Sequence, residues 1–209
     1  MKINKKITTL SITLIILIAI TIGTSFAFFT SKDTVVNRFD TGDIKADIIE
    51  PGFIPSDNWN GESYSKVVEI KNTGKNENFV RVSITPRWVD KDDNPWSGDI
   101  SNKVVQLKFN NLINVPSDDI WENKKWVKGS DEFYYYTSIL PTNETTSQIL
   151  ESVTATVNNT TVDYPEDYEG KFLKVDVRVE AVQTTIEAYK SVWILPKEIS
   201  PLFEKLAEK

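Results

Sequence analysis

Phe172-Leu-Lys-Val-Asp-Val-Arg-Val-Glu-Ala181 alternates without a fault. Leu173, Val175, Val177, Val179 and Ala181 share one side of an extended chain. Lys174, Asp176, Arg178 and Glu180 share the other. That pattern predicts a half-buried antiparallel strand, apolar side inward and charged side to water. The same period of two recurs upstream in Ile44-Lys-Ala-Asp-Ile48, Lys66-Val-Val-Glu-Ile70, Phe79-Val-Arg-Val-Ser-Ile-Thr85, Val104-Val-Gln-Leu-Lys-Phe109 and Val153-Thr-Ala-Thr-Val157. Trp126-Val127 and Phe133-Tyr-Tyr-Tyr-Thr137 flank Lys128-Gly-Ser-Asp131, which reads as a hairpin turn. Turn clusters at Asn72–Asn76, Asp90–Pro95 and Pro141–Asn143 separate the runs. Roughly eight antiparallel strands at this spacing predict an all-β protein, a β-sandwich of jelly-roll type.

The C-terminal end departs from the period of two. Thr184 to Trp193 suits a short helical turn. Ser200-Pro201 resembles an N-cap followed by proline at the first helical position, with Leu202, Phe203 and Leu206 as one apolar stripe. A helix this short is marginal alone, so the tail either docks on the sandwich or frays.

The N-terminal end has the three parts of an export signal: Lys2, Lys5 and Lys6, an apolar run from Ile7 to Ile22, and small side chains at Ser25 and Ala27. Cleavage is expected between Ala27 and Phe28, making residues 1–27 a signal peptide. Leu10 to Phe29 is long enough to span a membrane, but the polar and small residues Ser11, Thr13, Thr21, Gly23, Thr24 and Ser25 dilute it. Residues 28–43 then form the new N-terminus, residues 44–195 the sandwich and residues 196–209 a tail. Phe29, Val35 and Phe39 lie an even number of positions apart and share a face when the segment is extended, with Ser31, Asp33 and Asn37 on the same side. Such a segment can be the first strand of its own sandwich, a loose terminus, or a strand donated to a neighbour.

Composition narrows the chemistry. The net charge of −6 becomes more negative once the three leader lysines are removed, which argues against nucleic acid and anionic membrane surfaces as partners. There is no cysteine, so the exported chain folds without disulfides. There is no histidine, which removes a Ser-His-Asp triad, a His-ligated zinc site and any histidine general base. No catalytic residue, metal ligand or cofactor is assigned. Asp90-Lys-Asp-Asp-Asn94 has the start of a calcium loop, but Pro95 stands where such a loop needs glycine, so a solvated turn is expected. Trp59, Trp88, Trp96, Trp121, Trp126 and Tyr134–Tyr136 could stack on sugars, or could be the core aromatics of a sandwich.

The junction Gly23-Thr-Ser-Phe-Ala-Phe-Phe-Thr-Ser-Lys-Asp-Thr-Val-Val-Asn-Arg-Phe-Asp-Thr-Gly-Asp-Ile44 resembles that of the TasA/camelysin family, with Asn37-x-Phe39-x-x-Gly42-x-Ile44 as the most specific match. Weaker likeness follows in Pro51-Gly52, Val68-Glu-Ile-Lys-Asn-Thr-Gly74, Val80-Arg-Val82, Val177-Arg-Val-Glu-Ala-Val-Gln183 and Val192-Trp193. The chain departs from the family pattern at Phe53–Gly61 and beyond Pro196. The resemblance implies cleavage by a SipW-type signal peptidase and a secreted jelly-roll subunit of an extracellular biofilm-matrix fibre or pilus. It further implies that the mature N-terminal strand, carrying Phe29, Val35 and Phe39, completes the sheet of the next copy. The partners would be further copies of the same chain and an anchor or accessory matrix protein. The protease label attached to camelysin-like members is not carried over, because the histidine chemistry is missing. A non-polymerising surface module for glycan or protein, and a pilin joined by isopeptide bonds, are the alternatives.

Overall fold

A computed structural model describes residues 45–49, 59–118 and 120–208. Ten strands are defined among them: β1 (Ala46–Ile49), β2 (Asn60–Asn72), β3 (Asn78–Val89), β4 (Pro95–Trp96), β5 (Val105–Phe109), β6 (Leu112–Ile113), β7 (Trp126–Lys128), β8 (Tyr134–Tyr136), β9 (Leu150–Thr156) and β10 (Phe172–Gln183). A 3₁₀ turn spans Pro165–Tyr168, and two helices follow β10: α1 (Ile186–Val192) and α2 (Ser200–Ala207). Apart from these, the regular structure of the described residues is all β. The strands form two sheets, ordered β1-β2-β9-β5 and β10-β3-β8-β7-β6, with β4 also paired to β3. The pairings are antiparallel except β6 with β7, which run parallel. That pair, and the two-residue β4, are too short to leave a periodic signal in the sequence.

The inner faces of the two sheets share one core. Val68 and Ile70 of β2 and Leu150, Val153 and Ala155 of β9 come from one sheet. Val80, Val82 and Ile84 of β3, Tyr134 and Tyr136 of β8, and Leu173, Val175, Val177 and Val179 of β10 come from the other. The alternation that opened the sequence reading is therefore the physical division of β10. Leu173, Val175, Val177 and Val179 are buried, and Lys174, Asp176 and Glu180 form ion pairs along the outer face.

That outer face is not bare. Phe79, Val127, Tyr135 and Val182 point away from the main core and are covered by Tyr189, Trp193, Ile199, Leu202, Phe203 and Leu206. The tail docks. Phe203 lies at its centre, with ring centroids 4.8 Å from Phe79 and 5.7 Å from each of Tyr135, Tyr189 and Trp193. The stripe Leu202, Phe203 and Leu206 faces inward as expected, but the cap differs. Ile199 occupies the N-cap and Ser200 is the first helical residue, with no side-chain capping bond. The helix starts one residue early because burial of Ile199, rather than a capping hydroxyl, sets its entry. In α1, Ala188 N–H donates to the Thr185 hydroxyl at 3.3 Å, the capping bond that Thr185 offers.

The hairpin expected around Lys128–Asp131 forms, with Gly129 N–H donating to Phe133 O at 2.8 Å and Glu132 at φ 68°. The Asn72–Asn76 turn carries more than a turn normally does. The fully buried Asn72 donates its side-chain amide to Asn76 O and Leu140 O, both at 2.9 Å, and accepts from Gly74 N–H at 2.9 Å. One side chain thus binds the β2–β3 turn to the crossing loop at Leu140. Asn72→Ala removes three bonds at a buried site, and a loss of about 2–4 kcal/mol is expected. A urea titration checks it: the midpoint falls while the slope stays unchanged.

Candidate assembly surface

The expected cleavage pair Ala27 and Phe28, and the donor-strand residues Phe29, Val35 and Phe39, lie outside the described residues. The described residues supply the other half of the question, namely which sheet edges stand open to a strand.

An unpaired edge presents alternating N–H and C=O groups, and folded proteins blunt such edges by shortening, kinking or proline. Most edges here are blunted in those ways. β1 has four residues. β5 has five, and its register slips between Lys108 and Phe109. β6 has two. β4 has two and begins with Pro95. Two longer stretches remain among the described residues. β1 covers β2 only from Glu69 to Asn72, which leaves Asn60–Val68 without a strand on that side, but that stretch is broken by two register shifts against β9. β10 has twelve residues, contains no proline, and keeps unbroken register with β3 from Phe172↔Val89 to Gln183↔Asn78. Among the described residues no strand is hydrogen-bonded to its other side, although β1 of the facing sheet lies close to it. About half of its residues direct their backbone groups to that side.

The charged side chains of β10 alternate in sign instead of forming a block of one charge. Along the outer face the charges read plus, minus, plus, minus at Lys174, Asp176, Arg178 and Glu180. Three of these are held by β3 or the loop after it: Lys174 to Asp93 at 2.6 Å, Asp176 to Arg87 at 2.5 Å, and Glu180 to Arg81 at 2.7 Å. These pairs keep β10 straight against β3 instead of guarding its edge with like charge.

Arg81 is the most constrained of these groups, and its role could not be seen in the linear sequence. Its guanidinium contacts Glu180 through Nε at 2.9 Å and Nη2 at 2.7 Å, and donates to the Tyr135 hydroxyl at 3.3 Å. Tyr135 in turn donates to Asp131 at 2.6 Å. The rings of Phe133 and Trp193 lie 4.1 and 4.8 Å from the guanidinium carbon. One side chain thus ties the edge strand, the β7–β8 hairpin and the C-terminal cap together. Ser130 N–H donates to Glu198 at 2.9 Å and adds a second tie between hairpin and cap. The sequence hint was the inclusion of Arg81 in the apolar run Phe79–Val82, where an arginine on the outer face of a strand needs a carboxylate opposite. Glu180 is that residue by register.

The aromatic candidates for sugar stacking sit mainly inside. Trp59, Trp88, Trp126 and Tyr134–Tyr136 are buried. Trp59 packs edge-on to Trp88 at 4.9 Å, and Trp88 to Tyr168 at 5.0 Å. Indole N–H groups of Trp59, Trp88 and Trp126 are satisfied by the carbonyls of Lys171, Asp99 and Ser147. Trp96 and Trp121 are half-buried. The Asp90 loop closes on itself: Asp90 accepts from the backbone of Asp92 and Asn94 and from the Asn94 side chain, and the Asn94 bonds hold its carboxyl below the usual range. Among the described residues no group of three or more acidic side chains is placed to hold a metal ion, and no helix is long and apolar enough to cross a membrane. No family model, curated protein or solved structure matches the chain.

Proposed function

We propose that this chain is an exported structural subunit that polymerises head-to-tail into extracellular filaments of the biofilm-matrix or pilus kind. Residues 28–43 of one copy pair along β10 of the next. The observation that carries this reading is the twelve-residue, proline-free edge of β10, the longest with unbroken register among the described residues. Backbone pairing supplies the affinity, and apolar side chains at alternate positions, Phe29, Val35 and Phe39, turn toward the sandwich. Because donor and acceptor are different surfaces, each addition exposes a fresh acceptor and the assembly does not close. The cap over the outer face of the β10 sheet supports the same reading. It leaves growth to the edge and keeps the sheets from stacking face to face.

The sandwich is read as a jelly roll, since β2–β9 and β3–β8 are concentric antiparallel pairs divided between the two sheets. The proposed partners are other copies of the chain, a SipW-type signal peptidase and an anchoring matrix protein. No enzymatic activity and no cofactor are assigned.

Electron microscopy of the mature protein beginning at Phe28 tests the reading, with filaments expected. The absence of cysteine makes strand placement directly measurable. Single cysteines replacing Val36 and Arg178, in separate copies mixed before assembly, should form intermolecular disulfides under oxidation, or do so when the pair is shifted by two residues. Filaments without any such cross-link along β10 would move the acceptor elsewhere. Filaments that resist boiling in detergent would point to isopeptide links. A chain that stays monomeric while binding polysaccharide would replace the proposal with a surface-binding module.

A further inference from the structure

We infer that Asn60-Gly61 is a self-modifying site. In the folded protein the Asn60 amide converts through a cyclic imide to aspartate and isoaspartate, with water as the co-reactant. This is the one Asn-Gly step in the 209 residues. Both residues are exposed, at the start of β2. Glu62 N–H donates to Asn60 Oδ1 at 3.0 Å, an Asx turn that folds the side chain back over the peptide following it. Gly61 sits at φ 90° and has no side chain to hinder approach to its nitrogen. The ladder is irregular at this point, because the register with β9 shifts between Asn60 and Ser63.

The steps balance without any oxidant or reductant. Hydroxide takes the Gly61 peptide proton, and the nitrogen attacks Asn60 Cγ. The new N–C bond pushes an electron pair onto Oδ1, where Glu62 N–H is already placed to stabilise the oxyanion. Collapse breaks the Cγ–Nδ2 bond and releases ammonia, its proton supplied by water. Water then opens the imide at one carbonyl to give aspartate, or at the other to give isoaspartate, which adds a methylene to the backbone. Either product adds a negative charge. The isoaspartate also displaces Trp59, whose carbonyl accepts from Val157 N–H at 2.8 Å and whose indole donates to Lys171 O at 3.1 Å.

Asn158 provides the control within the chain. Its Oδ1 accepts from Thr160 N–H at 2.9 Å, the same turn, but the next residue is Asn159, which bears a side chain. The test is to hold the folded protein in mildly alkaline buffer, digest it, and map position 60 by mass and by isoaspartate-specific methylation. Conversion at Asn60 should run at least about tenfold faster than at Asn158, and within roughly threefold of the rate in urea. An intact amide at position 60 after Asn158 has converted, or conversion confined to the urea-unfolded chain, overturns the inference. Gly61→Ala is a poor variant, since its Cβ would meet Thr156 Oγ1 at 3.1 Å. Asn60→Ser keeps a turn-forming oxygen and removes the amide. It should abolish the acidic species that forms first on isoelectric focusing, and its appearance at an unchanged rate in that variant also overturns the inference.

Discussion

A mature chain lacking Phe28 to Phe39 is expected to stay folded and monomeric and to form no filaments. The described parts of both hydrophobic clusters, of the two sheets and of the C-terminal cap lie between Ala46 and Ala207, and they are expected to hold the fold by themselves. Association does draw on it. A ladder along most of β10 offers on the order of ten backbone bonds, each worth about 0.5–1.5 kcal/mol net, before the cost of ordering the free segment. Losing the whole ladder removes association rather than weakening it. Sedimentation and electron microscopy read the assembly state, and a urea titration reads the fold. Filaments that persist after the deletion sink the donated-strand idea. A deleted chain that unfolds would instead make the segment the first strand of its own sandwich.

Phe203→Ala should destabilise the fold by about 3–5 kcal/mol, the range for truncating a buried phenylalanine. Phe203 is fully buried and touches four aromatic rings, so the cavity opens where neighbouring rings are held from both sides and cannot collapse well. A second effect separates this site from an ordinary core position. Loosening α2 uncovers Phe79, Val127, Tyr135 and Val182 on the outer face of the sheet, together with the Arg81 cluster beneath Trp193. The variant should therefore bind a hydrophobic dye and lose its C-terminal segment to protease before the sandwich unfolds. A loss below about 1 kcal/mol would mean that the cap frays and the outer face is normally open.

Strand identity was legible because alternation is local. β10, β3 and the hairpin between β7 and β8 could be placed within a few residues from their own side chains. The apolar stripe of α2 was legible for the same reason, with Leu202, Phe203 and Leu206 spaced for one helical face. The functions of Arg81 and Asn72 were not legible. Arg81 reads as one polar residue in an apolar run, and only the register of β3 against β10 brings Glu180 to it. Asn72 reads as a turn residue, and only the passage of the Leu140 loop beside it makes its amide a buried junction. The tryptophans were expected mainly in the core, but residue type alone does not exclude a sugar platform. Long-range packing buried Trp59, Trp88 and Trp126.

The amino-acid sequence by itself determined which stretches extend, which side of each is apolar, and which chemistries are missing for want of histidine and cysteine. Those properties depend on residue type and on neighbours two to four positions away. Only the tertiary structure decides which of the described strands lies at an edge. The side chains of β10 read as a half-buried strand and do not tell an edge from an interior place, since burial of Leu173, Val175, Val177 and Val179 needs only a facing sheet. Whether a second strand pairs beside it depends on hydrogen bonds to segments far away in the chain, and backbone groups are the same in every residue except proline. The long edge, proposed here as the place where the next subunit joins, is therefore a property of topology, whereas the strand that forms it is a property of sequence.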